Sequence, residues 1–407
     1  MELLVREYLK THSFKQLEEE HGVCVRPNSR RDKFSLNYDM VMAKPGDPVS
    51  EQCRGLVLRP VEQLKADAWE DVVVGHTDVL AWPMNRFYNH GDFNAAKIDW
   101  TDVSLRIYEK LDGTMIVVYW DPLHAKWYAA TRAVPEADHP MNGDLDPMTF
   151  SDLFFSALRS TREATSGEPI TWEVDGYDKV VHLNKELTYV FELTSPKNRV
   201  VVRYDVPRVT LLAARHTQTG KEIAIETIRL EHVQRPATWD FKDVLALEAF
   251  VDCSDPASLE GAVVCDSRFR RLKVKNKSWV LSSRAKDMVT VSRRSALEAI
   301  IMGKIDDVLP LLEESIATQL LTMNDQARTY LSSIDKKFAE LSADAAGNRK
   351  HFAEQVLLSN DWATPYFMLW DKKAATTLQW LQKLSTAQKL TNAMLDVILA
   401  RMVVSTV

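Results

Sequence analysis

Lys110 is the residue of this chain best placed by its neighbours to act as a nucleophile. It lies in Ile107-Tyr108-Glu109-Lys110-Leu111-Asp112-Gly113-Thr114, between two apolar runs. A lysine amine attacks a phosphorus or carbonyl centre only when deprotonated, which takes desolvation or nearby cations. A lysine held between buried strands can meet that condition. Taken alone, the same stretch also reads as a β-hairpin, with Asp112-Gly113 as its turn and a solvated lysine at its tip. The rest of the chain decides between the two by supplying, or not supplying, chemical neighbours.

The candidate neighbours sit at the ends of apolar runs far along the chain. Glu192, in Thr188-Tyr189-Val190-Phe191-Glu192-Leu193, places an acid among buried strand residues, where an unpaired carboxylate is costly and needs a partner. Glu260-Gly261 heads the apolar strand Ala262 to Cys265. Between Arg268 and Lys277 the chain carries six cations and no acid. Alternation with Leu272 and Val274 there puts Lys273 and Lys275 on one side of a strand. Arg54 precedes Gly55 and an apolar strand, and also reads as a strand-edge arginine at a bulge. Arg86 lies among the aromatics of Trp82 to Asn89, and Arg132 ends a short strand from Trp127. An amine, several cations and a few carboxylates in this order are the parts needed for phosphoryl-group transfer from a nucleotide. Lys273 and Lys275 would neutralise phosphate charge and help keep Lys110 neutral, and Glu260 would help hold Mg²⁺ through its water shell.

The elements that must position these groups are legible as periodicity. Residues 1–25 open with a helical pattern ending near His21-Gly22, a polar basic stretch runs from Arg26 to Lys33, and Phe34 to Tyr38 reads as a strand. Val103 to Tyr108 alternates as a half-buried strand, and Met115 to Trp120 is a nearly continuous apolar run, hence a more deeply buried one. Thr149 to Thr161 is helical. Strands are expected at Thr188–Leu193, Val200–Tyr204 and Val209–Ala214, with a hairpin turn at Thr219-Gly220 and helices across Ala224 to Phe250. From about Ser282 onward strand signals vanish and apolar residues recur at helical spacing, which predicts a separate all-helical domain. The boundary falls between 284 and 285, giving domains 1–284 and 285–407.

Composition narrows the class. A chain of 407 residues is too long for one ordinary core, and 45% hydrophobic with 27% charged residues suits a globular protein. The formal net charge of -6 is not that of a bulk nucleic-acid binder, although association depends on where charge sits rather than on its sum. Cys24, Cys53, Cys253 and Cys265 form no Cys-x-x-Cys pair, which argues against a structural zinc site or a disulfide framework. No apolar stretch approaches the roughly 20 residues of a membrane span or forms a signal peptide, so a cytoplasmic location without membrane contact is expected.

Taken in order, these residues resemble a known family, the covalent nucleotidyltransferases that include ATP-dependent ligases and capping enzymes. Within it the chain most resembles the RNA ligase 1 group typified by bacteriophage T4. Lys110-Leu111-Asp112-Gly113 matches the Lys-x-Asp-Gly signature. Before it come Phe34 to Tyr38, Cys53-Arg54-Gly55 and Pro83 to Asn89; after it come Phe191-Glu192, Pro196, Asn198-Arg199, Glu260-Gly261 and Lys273-Val274-Lys275. The resemblance covers roughly residues 30–285.

It implies an α+β fold, a nucleotidyltransferase (adenylyltransferase) domain of antiparallel sheets with flanking helices, followed by an all-α C-terminal domain that selects RNA. Lys110 would attack the α-phosphorus of ATP and form a lysyl-adenylate. The adenylyl group would pass to the 5′-phosphate of RNA, and a 3′-hydroxyl would displace AMP. Lys273 and Lys275 would share in catalysis on the ATP phosphates. Arg54 would lie near the nucleotide phosphate and ribose, Glu192 on the ribose, and Tyr88 at an aromatic position of the pattern. Arg86, Glu109, Asp112, Gly113, Arg132 and Glu260 would complete the nucleotide site, with Glu260 and Asp112 toward the metal, Mg²⁺ or Mn²⁺. The partner would be RNA bearing 5′-phosphate and 3′-hydroxyl ends, such as a cleaved tRNA in RNA repair, and the enzyme a monomer. Arg86 and Arg132 stand where the phage pattern has lysines, replacing a point charge by a planar fork, and Leu36 replaces an aromatic. A DNA ligase or capping-type transferase, and a catalytically silent nucleic-acid-binding protein of the same fold, are the alternatives. No oligonucleotide-binding barrel is evident after the basic strand.

Overall fold

The structure is a computed structural model describing residues 2–62, 64, 69–139, 148–166, 183–230, 233–290, 293–309, 312, 314–359, 361–387 and 389–402. It divides into two compact units, Met1–Trp279 and Val280–Val407.

The first unit holds three sheets. One is the antiparallel series β1 (Val23–Pro27), β2 (Phe34–Tyr38), β3 (Arg54–Pro60) and β4 (Thr77–Ala81). A second, in the order β11-β10-β9-β7-β8, contains β7 (Thr114–Asp121), β8 (Lys126–Ala130), β9 (Leu187–Thr194), β10 (Arg208–His216) and β11 (Glu222–Ile223). The third, in the order β12-β6-β13-β14-β5, contains β5 (Tyr88–Asn89), β6 (Arg106–Lys110), β12 (Thr238–Trp239), β13 (Gly261–Cys265) and β14 (Arg271–Lys275). All ladders are antiparallel except the short parallel pairing of β14 with β5.

Period-two alternation builds the layers. Along β7, Met115, Val117 and Tyr119 pack with Val57 and Ala81 of the first sheet. Ile116 and Val118 face the opposite way, onto Phe154 and Leu153 of helix α4 (Phe150–Ser166). A strand buried on both faces reads as a continuous apolar run, as it does here. The outer face of the first sheet is covered by α1 (Leu4–Leu9) and α2 (Phe14–His21), and a short α3 (Pro48–Gln52) leads into β3. The break between α1 and α2 is the Ser13 capping box with Gln16, and Gly22, at φ 61°, ends α2. The third sheet packs Ile107, Val264 and Val274 under α5 (Val244–Cys253).

Several expectations are corrected. The Lys110 stretch is not a hairpin, because β6 and β7 belong to different sheets. Lys110 pairs with Gly261 and Thr114 with Leu193, so Leu111-Asp112-Gly113 crosses from one sheet to the next. The expected strand Val200–Tyr204 is a loop, because the Val201 and Val202 amides donate to a side chain rather than to a ladder. Helices across Ala224 to Phe250 shrink to a single 3₁₀ turn at Ile225–Thr227 and to α5, since β12 joins β6 in that span. The polar basic stretch Arg26 to Lys33 ends in a buried residue. Lys33 is fully buried, 2.9 Å from both Asp121 and Glu136 and over the ring of Tyr128.

After β14 no strand occurs among the described residues. Helix α6 (Lys277–Thr290) leads into the second unit. That unit is formed by α7 (Arg293–Ile301), α8 (Ile305–Val308), α9 (Glu314–Ala345), α10 (Arg349–Leu358), α11 (Ala363–Trp370), α12 (Thr377–Thr386) and α13 (Asn392–Met402). They share one apolar core that includes Leu297, Leu331, Phe352, Leu381 and Ile398.

Candidate active site

Lys110 ends β6 in register with Gly261, the first residue of β13, and that pairing sets Glu260 beside it. Lys110 Nζ lies 2.6 Å from Glu260 Oε2, and Lys275 Nζ lies 3.0 Å from Glu260 Oε1. One buried carboxylate, 3% exposed, thus ties two lysines from β6 and β14, the strands on either side of β13. The expected face of β14 is present, with Arg271, Lys273 and Lys275 alternating with buried Leu272 and Val274.

Lys273 is the lysine whose basicity the site depresses. Burial, reinforced by Arg54, Lys275 and Lys110, pulls its ammonium down to about 7. Its Nζ lies 5.1 Å over the ring of Phe87, whose ring also carries the Arg54 guanidinium at 5.2 Å. Lys110 itself has a carboxylate partner, Glu260.

Glu192 finds its partner in the crossing segment, where the Gly113 amide donates to its Oε1 at 3.1 Å. Burial raises its carboxyl to about 7, opposed by Lys110 and reinforced by Glu260. Gly113 is required by close approach, since a Cβ there would stand 2.3 Å from the Leu193 carbonyl oxygen. Arg54 donates to the Met115 sulfur at 2.9 Å, and burial lowers its guanidinium to about 10, against the pull of Tyr38. Gly55, at φ 79°, forms the bulge beside it and lets the Arg132 backbone pack close, which brings Arg132 next to Arg54.

Asp112 lies on the crossing segment. Its Oδ2 accepts from the amides of Val201 and Val202, both at 2.7 Å, and from the Trp279 indole at 3.0 Å. Its own amide donates to Tyr204 Oη at 3.1 Å. A carboxylate oxygen so engaged anchors the crossing loop. Glu109 alternates to the face of β6 opposite Lys110, and burial raises its carboxyl. Arg86 stacks over Tyr38 at 4.3 Å and Tyr88 at 5.0 Å, and Tyr88 donates to Glu51 at 2.8 Å. Arg86 and Tyr88 line a cavity of about 800 Å³ whose walls include neither Lys110 nor Glu260.

Trp279, Tyr204 and Phe87 are members of the arrangement that the sequence did not single out. Trp279 is set by Asn276, whose Oδ1 accepts from the Trp279 amide at 3.0 Å in the manner of a helix cap. Its ring also lies under Lys275 at 4.5 Å. An asparagine before a helical run was the available local signal.

A divalent ion can be tested against this donor set. Among the described residues no three carboxylate, histidine or cysteine groups converge. Magnesium is commonly held by one or two carboxylates, with substrate phosphates and water completing its shell. Glu260 fits that pattern for a metal that enters with a nucleotide.

The chain is similar to known proteins over the span that holds this site. The family model described as RNA ligase, of the T4 RNA ligase 1 type, matches residues 52–286, more than half of the chain. A protein of Autographa californica nuclear polyhedrosis virus named as a bifunctional polynucleotide kinase/RNA ligase is 26% identical over 324 residues, covering 76% of this chain and 42% of its own. An RNA ligase of Rhodothermus phage RM378 is 24% identical over 195 residues, covering 42% of this chain and 38% of its own. The chain thus spans about two-fifths of the length of these relatives. Among solved structures, an archaeal ATP-dependent RNA ligase aligns with a TM-score of 0.40 and 12% identity over 77% of this chain and 78% of its own. The matched span contains Arg54, the Lys110 crossing, Glu192, Glu260 and both β14 lysines, and the chain belongs to the RNA ligase family.

Proposed function

We propose that this chain is an ATP-dependent RNA ligase that joins a 5′-phosphate to a 3′-hydroxyl through a lysyl-adenylate and an RNA-adenylate. The observation that carries the reading is the convergence of Lys110, Glu260 and Lys275, with Glu192 and Lys273 beside them, on a loop that crosses between two sheets. In the first step the Lys110 lone pair forms a bond to the α-phosphorus of ATP. The bond from that phosphorus to the bridging oxygen breaks, and pyrophosphate leaves with the electron pair. Glu260 Oε2, at 2.6 Å, is placed to accept the amine proton. Lys273, Lys275, Arg54 and Arg132 supply positive charge where charge builds on the phosphates. Bound magnesium or manganese, held by Glu260 and the phosphates, would withdraw further charge. In the second step a 5′-phosphate oxygen of RNA displaces Lys110 from phosphorus, and in the third a 3′-hydroxyl displaces AMP.

RNA repair, with a cleaved transfer RNA as substrate, is the role we infer, carried out by a monomer in the cytoplasm. No helix among the described residues is long and apolar enough to cross a membrane. We assign substrate selection to the helical residues after 284. Incubation with α-labelled ATP and Mg²⁺ tests the core of this reading. The wild-type chain should take up covalent label and Lys110→Ala should not; label on that variant, or none on wild type, would sink it. GTP in place of ATP separates capping chemistry, and nicked DNA beside 5′-phosphorylated RNA separates the substrates.

A further inference from the structure

The cavity lined by Arg86 and Tyr88 is a cationic site that the lysine chemistry leaves unused. Its walls carry six cationic side chains, Arg86, Arg215, Lys221, Arg268, Arg270 and Arg271, against two acids, in a chain whose net charge is -6. Glu222 is shared between Arg215, at 3.3 Å, and Arg271, and Glu51 accepts from Tyr88. Asp266 pairs with Arg270 at 2.7 Å. Lys221 and Arg268 stand exposed at the lip.

Two donors in these walls have no protein partner. Arg215 is 5% exposed; it donates to the Pro83 carbonyl and Asn85, yet its buried Nε has none. The buried Nη1 of Arg86 is in the same position. Buried guanidinium donors are costly to leave unmade, and a phosphate oxygen is the acceptor that a guanidinium fork matches best. Aromatic rings interleave with the cations: Phe87, Tyr88 and Phe269 line the same cavity. Phe269 holds φ at 59° in the β13–β14 turn, a conformation a bulky side chain seldom adopts and one that recurs at ligand clamps. Cations with stacking rings are the composition of a single-stranded nucleic-acid groove.

The cavity borders the lysine cluster through a shared ring. Phe87 lines it while carrying Lys273 and Arg54 over its ring. Along one face of β14, Arg271 of the cavity and Lys275 of the cluster are four residues apart, roughly 13 Å. A strand whose end reacts at Lys110 can therefore lay its following phosphates among these arginines.

We propose that this cavity seats the single-stranded RNA substrate next to its reacting end, holding its phosphodiesters with Arg86, Arg215, Lys221, Arg268 and Arg271 and its bases on Phe87, Tyr88 and Phe269. The assignment rests on the ligase reading. It is tested by measuring binding of 5′-phosphorylated single-stranded RNA and of inorganic pyrophosphate to the full chain, for wild type and K221A/R268A, across a range of salt. Both substituted positions are exposed, so the fold is retained. RNA affinity should fall about tenfold, and the salt dependence should weaken by about 1.4 in log–log slope, the value for two lost single-strand phosphate contacts. Pyrophosphate affinity should not change. Unchanged RNA affinity overturns the proposal, and so does a parallel loss for pyrophosphate, which would assign the cavity to the nucleotide's own phosphates. Wild-type protein that takes no label from ATP would overturn the ligase reading alone, because a tenfold RNA loss in K221A/R268A would still support the cavity as an RNA site.

Discussion

Lys110 Nζ and Glu260 Oε2 stand 2.6 Å apart, although 150 residues separate them in the chain, and the other oxygen of the same carboxylate holds Lys275. In the proposed reaction this carboxylate would accept the amine proton and help hold the metal that enters with the nucleotide. Glu260→Gln should lower the rate of covalent labelling by about 10²-fold or more, the scale seen when one preorganised electrostatic group is removed from a transition state. Labelling time courses at saturating ATP check this, and an unchanged rate would reject the role of the pair.

The crossing loop predicts a separable effect. Trp279→Phe keeps a ring beneath Lys275 but removes one donor to buried Asp112, and should cost about 1–3 kcal/mol of stability. It should also slow labelling without abolishing it, because Lys110 is then less well held. Asp112→Ala, which strands two amides and the indole, should be worse on both counts. Denaturant unfolding beside labelling rates tests this, and wild-type stability in Asp112→Ala would contradict the anchoring role.

Glu192 and Lys273 give opposite pH dependences. Glu192, raised to about 7, binds more protons folded than unfolded between roughly pH 4 and 7, so its contribution to stability is lost as pH rises through that window. Lys273, lowered to about 7, binds fewer protons folded than unfolded between roughly pH 7 and 10, so stability is regained as pH rises there. Unfolding of the unliganded chain across pH should show Glu192→Gln flattening the acid-side slope and Lys273→Met the alkaline one. Superimposable difference curves would show that neither group is perturbed.

Lys33 predicts a purely structural loss. Lys33→Met would leave Asp121 and Glu136 without their shared cation in a buried setting, at about 3–5 kcal/mol. Arg59, which holds Asp121 through both guanidinium nitrogens at 2.8 and 2.6 Å, should soften the effect. Thermal unfolding checks it, and a stable Lys33→Met protein would show that the two acids are protonated or solvated instead.

Removing the helical residues after 284 should leave some self-adenylylation and alter or abolish joining of structured RNA. Unchanged joining by the truncated chain would count against substrate selection by those helices.

Much of this was written in local pattern. Alternation marked β6 and β14, apolar runs marked β7, β9 and β13, helical spacing marked the second unit, and the order Arg54, Lys110, Glu192, Glu260, Lys273, Lys275 pointed to the proposed chemistry, because side-chain direction along a strand depends only on its own period. The partners of those strands were not in the pattern. An Asp-Gly pair after a strand suits a hairpin, and only the packing of Ile107 under α5 and of Met115 against the first sheet sends β6 and β7 into different sheets. The same holds for Asp112, whose acceptor role depends on amides about 90 residues on and an indole 167 residues away, and for Lys33, whose buried charge is intelligible only with Asp121 and Glu136 in place. Residue types and their order thus determined which groups could do chemistry. Long-range pairing, which no local periodicity encodes, decided that Lys110 sits on a crossing between sheets with Glu260 at its amine, rather than at the tip of a solvated turn.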